Sequence, residues 1–306
     1  MTDLVPAEFA EAVGAYEPDP VDVDAPFAVT GATWLRRLPR LLEDLLARWD
    51  LTVDGPTCWG QCAVVLPVTG PHGTAALKVS WPHLEARSEH LALRHWEGHG
   101  AVRLARADPA RFALLLERLD ASTDLVDVPI DKACGVIGDL LAQLSSPAIS
   151  RTPTLSAYAA RHAVGTNRAL DGGLPRRFVE QARHLAVDLA ADPVVDSCLV
   201  HSDLHYTNVL SAERQPWLAI DPKPMAGDRA FEVAPALWNR SDALGSGSSV
   251  RWLLRRRVEI ICERSGIDEA RAKAWTIVRE VDNATGLASG SDRVGLAVAI
   301  IKAMND

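Results

Sequence analysis

A chain of 306 residues with 48% hydrophobic and 24% charged content has the composition of an ordinary soluble globular protein, and its length predicts two lobes. A net charge of −8 argues against the basic face of a nucleic-acid binder, and five scattered cysteines without a C-x-x-C pair argue against a disulfide framework or zinc site. The acidic N-terminus lacks the basic region of a signal peptide and the late apolar run Val294–Ile301 is too short to span a bilayer, so a cytoplasmic protein with no membrane partner is expected.

Residues 1–30, rich in Pro and Asp, read as an irregular arm. From Trp34 to Trp49 apolar residues recur at helical spacing, which predicts an amphipathic helix over 33–49 with Thr33 as its N-cap. After the turn Asp54-Gly55-Pro56 comes a hairpin pattern: Cys62–Val68, the turn Thr69–Gly73, then Thr74–Ser80. A helix is expected over 82–97, opening at Pro82 and carrying Glu85 and Glu89 one turn apart. Strands Ala101–Ala107 and Arg111–Glu117 complete a first lobe, residues 1–116, built as a mainly antiparallel sheet with a helix packed on it. Residues 117–120 read as a hinge. The second lobe, 121–306, is expected to be mostly helical, with helices over 129–145, 153–164, 175–191, 230–239, 250–264, 268–288 and 292–304. Only a small hairpin interrupts it, and Gly245–Ser249 reads as a flexible loop.

That hairpin region, Leu199–Asp221, holds most of the chemistry. His201, Asp203, Asn208 and Asp221 stand at or beside the ends of the short apolar runs Cys198–Val200, Asn208–Leu210 and Trp217–Ile220. Two carboxylates and an amide brought to one spot suit Mg²⁺, a hard cation with oxygen ligands, and leave one carboxylate to meet a substrate hydroxyl. In the first lobe, Lys78 sits between Leu77 and Val79 in a predicted strand. Alone it would be a solvent-facing lysine, but the following helix places Glu89 eleven residues on. A strand lysine paired with a helix glutamate is how kinases hold the α- and β-phosphates of ATP. Glu85 competes for that pairing. The loop Cys58–Ala63, with Gly60, lies where a phosphate-covering loop belongs, yet it carries neither G-x-G-x-x-G nor a Walker motif. His201-x-Asp203-x-His205 also has the look of a zinc or iron cluster. No second His/Asp cluster or H-E-x-x-H helix completes one, so His201 is read as a buried residue orienting its loop and His205 as peripheral.

H-x-D-x-x-x-x-N at His201–Asn208, followed by W-L-A-I-D-P at Trp217–Pro222, resembles the aminoglycoside phosphotransferase family of antibiotic kinases. Ala76-Leu77-Lys78, Ala212-Glu213-Arg214 and Gly227-Asp228 resemble in particular the branch of streptomycin 6-phosphotransferases and hydroxyurea phosphotransferases, and the likeness runs from about Trp34 to Asn239. Ser202 departs from the glycine that the wider family usually has there. The resemblance implies an α+β, bilobal protein-kinase-like fold that uses ATP and Mg²⁺. It implies that Asp203 takes the proton of the attacking hydroxyl and that Asn208 and Asp221 hold Mg²⁺. It implies that Lys78 contacts the α- and β-phosphates, that Glu89 positions it, and that the link Glu117–Leu119 meets the adenine edge through backbone groups. The acceptor it implies is a hydroxylated, cationic small molecule, streptomycin first, with resistance as the result. A kinase of another hydroxylated molecule, such as an amino sugar, and a catalytically idle nucleotide-binding protein are the alternatives. The two guanidinium groups of streptomycin call for carboxylates. Asp120, Asp124, Asp127, Asp131, Glu232, Asp242, Asp282 and Asp292 form the pool from which they would come, with Glu232 read as a structural support.

Overall fold

Phe9 and Val13 lie four residues apart, the spacing of one helical face. In the computed structural model, which describes residues 4–18, 25–165, 168–171, 173–245, 247 and 249–305, they sit on a helix, α1 (Ala7–Gly14). The sequence reading of an irregular arm is therefore corrected over these residues; of the rest of that arm, 1–3 and 19–24 lie outside the described residues. Burying Phe9 and Val13 against α2 (Gly31–Trp49) is what stabilises so short a helix, and Phe9 meets Trp34 edge-on with ring centroids 6.1 Å apart. A Cβ on Gly31 would stand 1.8 Å from the Val13 carbonyl oxygen, so this crossing requires a glycine. Because α2 begins at Gly31, its cap is Thr30 and not Thr33: the Thr30 hydroxyl accepts from the Thr33 amide at 3.3 Å.

The chain forms two compact units, one ending at Asp120 and one beginning at Ala121. After α2 the first contains β1 (Thr52–Val53), β2 (Cys58–Trp59), β3 (Ala63–Gly70), β4 (Gly73–Ser80), α3 (Leu84–Arg87), α4 (Glu89–Trp96), β5 (Leu104–Asp108) and β6 (Ala113–Glu117). Its antiparallel sheet has the order β1-β3-β4-β6-β5, with β2 also paired to β3. Pro71-His72 alone turns β3 into β4, since pairing continues to Gly70–Gly73. The cross-strand pairs Val64–Val79 and Leu66–Leu77 bury one face in a core shared with Trp34, Leu38, Leu42 and Leu45 of α2. Each fully buried side chain of this kind contributes roughly 1.5–3 kcal/mol. Strand alternation then puts Lys78, paired across to Val65 and Leu114, on the opposite face. The single helix expected over 82–97 is two: Pro82 and His83 stay outside, and the chain breaks at buried Ser88, a residue type whose side chain competes for backbone groups. Glu89 thus opens a helix of its own.

The second unit comprises β7 (Asp120–Asp124, whose first residue closes the first unit), α5 (Ile130–Gln143), β8 (Ser146–Pro147), α6 (Leu155–Gly165), α7 (Arg168–Asp171), α8 (Arg176–Ala190), β9 (Cys198–Val200), β10 (Val209–Ser211), β11 (Trp217–Ala219), β12 (Met225–Gly227), α9 (Pro235–Trp238), α10 (Ser249–Ser265), α11 (Glu269–Asn283) and α12 (Asp292–Met304). The expectation of a lone hairpin is corrected to two three-stranded sheets, β11-β10-β7 and β12-β9-β8. Their strands are two to five residues long, too short for an alternating pattern to register. The helix expected over 230–239 is a 3₁₀ turn, Arg229–Glu232, followed by α9, because Pro235 cannot donate to a helix running through it. The long helices expected on the strength of their period appear as α5, α6, α8 and α10–α12, with α11 ending at Asn283. Gly245 and Gly247 take positive φ in the Gly245–Ser249 loop, of which Ser246 and Ser248 lie outside the described residues. Among the described residues no helix is long and apolar enough to cross a membrane.

One core residue carries a cost. Glu280 of α11 is 2% exposed, and its Oε1 finds no hydrogen-bond partner among the described residues. Burial raises its pKa from 4.5 to about 8. The folded state therefore keeps a proton that the unfolded chain releases, and stability is lost as pH rises from the ordinary carboxyl range towards 8. Glu280→Gln should flatten the fall of Tm between pH 5 and pH 8 and raise Tm at pH 8, as measured by thermal denaturation at both pH values. An unchanged slope would show that Glu280 titrates normally.

Candidate active site

In the first unit, Lys78 Nζ meets both carboxylate oxygens of Glu89, at 2.7 and 2.8 Å. The two side chains are only 8% and 2% exposed, so this is an internal ion pair, and Glu85 lies exposed on α3. Gly60 sits in the turn between β2 and β3, where its amide donates to the Ala63 carbonyl at 3.0 Å. A Cβ there would meet nothing within 4 Å, so the fold itself does not demand a glycine. Glu117 ends β6, its amide donating to Arg103 and its carboxylate accepting from the Arg103 amide at 3.1 Å. Between Glu117 and the half-buried Leu119, Arg118 donates to the carbonyls of Ala75 and Val68, each at 2.8 Å, and pairs with Asp54. The link is thereby fastened to β3 and β4.

In the second unit the stretch from His201 to Asp221 is held from beneath. The amides of His201 and Ser202 donate to the buried carboxylate of Glu232 at 3.1–3.2 Å. Burial pushes the Glu232 pKa up to about 7, against the pull of these hydrogen bonds. Ser202 accordingly takes φ 60°, a left-handed conformation that side chains disfavour. Fully buried His201 has both ring nitrogens engaged: Nε2–H donates to the Ile220 carbonyl at 3.0 Å, and Nδ1 accepts from the Asp203 amide at 3.3 Å. Burial lowers its pKa to about 4, so the ring is a neutral spacer between the loop and the strand end. With both nitrogens committed, His201 cannot ligate a metal, and no cluster of three His, Cys, Asp or Glu suited to a metal occurs among the described residues. Among the described residues the rival zinc or iron reading finds no such cluster.

Asn208 ends a 3₁₀ turn, Tyr206–Asn208, and its Nδ2 donates to the Asp203 carbonyl at 2.9 Å and to His205 Nε2 at 3.2 Å. That leaves its Oδ1 as the group a cation would take. His205 is not peripheral: Thr207 and Asn208 both contact it, and burial lowers its pKa. The Ile220 amide donates to the Asn208 carbonyl at 2.9 Å, extending the β10–β11 ladder, so Asp221 leaves the strand one residue past Asn208's partner. Asp221 takes φ 56° at this exit. Asp203 itself is 16% exposed, with Lys223 Nζ at 3.0 Å from Oδ2 and His205 Nε2 at 3.9 Å from Oδ1. Two oxygen donors beside a presented carboxylate form a set that suits a hard cation and a hydroxyl.

Several supporting residues carry no local signal in the sequence. Tyr206 donates from its hydroxyl to the Ala236 carbonyl at 2.9 Å and touches Cys134 Sγ at 3.4 Å. Arg240 lies over the Tyr206 ring and donates to the carbonyls of Leu125 and Val128. Arg257, 2% exposed, donates to the carbonyls of Ala236, Asn239 and Arg240 and so caps α9. Asp228 joins the end of β12 to α11 by accepting from Arg271 and from Trp275 Nε1. Lys223 is the one such residue with a visible cue, since only five of the 32 basic residues are lysines.

The family of aminoglycoside/hydroxyurea antibiotic resistance kinases matches residues 48–290. The streptomycin 6-kinase of Streptomyces glaucescens is 42% identical over 264 residues, covering 84% of this chain and 85% of its own. The hydroxyurea phosphotransferase of Kitasatospora aureofaciens is 41% identical over 265 residues, covering 83% of this chain and 74% of its own. Among solved structures, the aminoglycoside phosphotransferase APH(4)-Ia in a ternary complex with ADP and hygromycin B superposes with a TM-score of 0.55 at 14% identity, over 85% of this chain and 97% of that one, which shows a shared fold. With residues 48–290 matched and two fifths of the aligned positions identical to such kinases, this chain, bilobal and protein-kinase-like in fold, belongs to the aminoglycoside/hydroxyurea antibiotic resistance kinase family.

Proposed function

We propose that this protein transfers the γ-phosphoryl group of ATP to a hydroxyl of an aminoglycoside, streptomycin, and so confers resistance to it. The observation that carries the reading is Asp203: a carboxylate fixed on a locked loop beside the donors Asn208 and Asp221. Asp203 accepts a hydrogen bond from the attacking hydroxyl and then its proton. Asn208 and Asp221 hold Mg²⁺, whose charge, when bound, offsets that of the triphosphate. Lys78 contacts the α- and β-phosphates, held by Glu89; Gly60 lies in the loop that covers them, and Glu117–Leu119 meet the adenine edge through backbone groups. Most of the catalysis in such a reaction is positioning and charge neutralisation.

Within the acidic pool Asp282 is suited to a guanidinium. Asp131 pairs with Arg256, and Glu232 lies beneath the loop. Asp282 instead keeps 43% of its side chain exposed while Tyr158 Oη and His162 Nδ1 donate to it at 2.8 and 3.2 Å. Burial pushes its carboxyl up, but these hydrogen bonds outweigh it and hold the pKa below the usual range, which keeps the group anionic. Arg279, one turn earlier on α11, interacts electrostatically with both Asp203 and Asp282, which supports a place for Asp282 beside the acceptor. A second reading, phosphorylation of hydroxyurea, is favoured by the 41% identity to a hydroxyurea phosphotransferase.

ATP consumption across a panel of aminoglycosides, simple sugars and hydroxyurea decides among these readings. Turnover with streptomycin is expected; turnover confined to sugars or to hydroxyurea, or ATP binding without any turnover, would each overturn the proposal. Asp203→Asn should lower kcat by about 10³-fold with ATP binding nearly intact. Asp221→Asn should weaken the metal-dependent part of nucleotide binding in a titration with and without Mg²⁺. Asp282→Asn should raise the KM for streptomycin by about tenfold, the loss of one charge-assisted contact, and leave the KM for ATP unchanged.

A further inference from the structure

The roles above leave Lys223 unused, although its ammonium lies 3.0 Å from Asp203 Oδ2. Its placement is unusually constrained. Pro222 and Pro224 flank it and fix the backbone on either side. The Lys223 amide donates to the His201 carbonyl at 3.0 Å, and the Lys223 carbonyl accepts from the Ser202 hydroxyl at 2.5 Å. Ser202 makes that bond from a left-handed conformation, φ 60°, where glycine would sit without strain. The lysine stem is thus carried on a rail locked to the same two residues that Glu232 supports. With 32% of the Lys223 side chain exposed, an ion pair of this kind contributes little to stability, which is small against so much local constraint.

We propose that Lys223 is a catalytic residue of the phosphoryl transfer. This rests on the kinase reading of Asp203. In the step, the bond between the γ-phosphorus and the β–γ bridging oxygen breaks and ADP leaves with that electron pair. The acceptor oxygen bonds to the γ-phosphorus, and its proton passes to the Asp203 carboxylate. In the loose transition state, negative charge spreads over the three equatorial oxygens of the group in flight. Lys223 neither gains nor loses a proton. Held at the carboxylate that receives the acceptor hydroxyl, its ammonium is placed to stabilise those oxygens, a fixed charge that needs no reorganisation as the reaction proceeds.

The test compares Lys223→Ala, Lys223→Met and Lys223→Arg with the parent enzyme. Streptomycin kinetics are combined with the affinity for ADP and Mg²⁺ in the presence and absence of aluminium fluoride, which mimics the group in flight. Lys223→Ala and Lys223→Met should lower kcat by about 100-fold, the effect of removing one preorganised charge, with both KM values within about threefold. The aluminium fluoride complex should weaken by a similar factor while ADP and Mg²⁺ alone bind as before, and Lys223→Arg should recover part of both losses. A kcat within about threefold of the parent, or equal weakening with and without aluminium fluoride, or a drop in Tm that accounts for the lost activity, would make Lys223 a structural brace and sink the proposal. Should the parent fail to turn over streptomycin, the acceptor reading falls, and the aluminium fluoride comparison still decides for or against Lys223.

Discussion

The buried carboxylate of Glu232 accepts two consecutive backbone N–H groups, those of His201 and Ser202, and the geometry of the second unit's polar loop descends from that contact. Without an acceptor, two buried amides would each leave a desolvated donor unsatisfied, at about 1–3 kcal/mol apiece. With it, the chain turns through a left-handed residue and presents Asp203 immediately afterwards. Glu232 itself bears the cost, since a carboxylate out of water loses hydration that hydrogen bonds restore only in part, and its raised pKa is the visible trace of that imbalance.

The loop is fastened again at each subsequent step. His201 bridges to Ile220 as a neutral ring, so no extra charge is buried between the carboxylates of Asp203 and Asp221. Tyr206 reaches into the helical core, where Ala236 and Cys134 receive its hydroxyl and Arg240 covers its ring. Arg279 stacks on Phe231 and Trp238, 4.1 and 4.9 Å from their ring centroids, and donates to the Phe231 carbonyl. Burial lowers its pKa, while neighbours that include Asp203 hold its charge in place. Positive charge from Lys223 and Arg279 therefore accompanies Asp203, and the oxygen donors Asn208 and Asp221 are supplied by neighbouring strand ends.

How much of this the sequence discloses depends on how local each cause is. Lys78 and Glu89 are recognisable because strand alternation and an adjoining helix fix their separation. The long amphipathic helices declare themselves by period over many residues. The strands of the second unit do not, since three residues contain no period, and Asp120–Asp124 has only the small Ala121 among polar residues. Helix α1 is hidden behind an acidic, proline-rich composition because two buried side chains suffice to hold it. Tyr206, Arg240, Arg257 and Lys223 act through partners that only the folded chain brings near, and Asp282 is separated from the rest of the acidic pool by Tyr158 and His162, 124 and 120 residues away in sequence.

The two amides that share the Glu232 carboxylate have a dynamic consequence. Their acceptor is shielded from solvent, so neither proton can exchange until the 3₁₀ segment carrying Glu232 separates from the end of β9. The amide protons of His201 and Ser202 must then exchange through one shared opening, with one opening free energy and one dependence on denaturant, even though Asp203 directly after them is partly open to water. The backbone that presents the carboxylate belongs, on the timescale of hydrogen exchange, to the core and not to the surface on which the carboxylate appears.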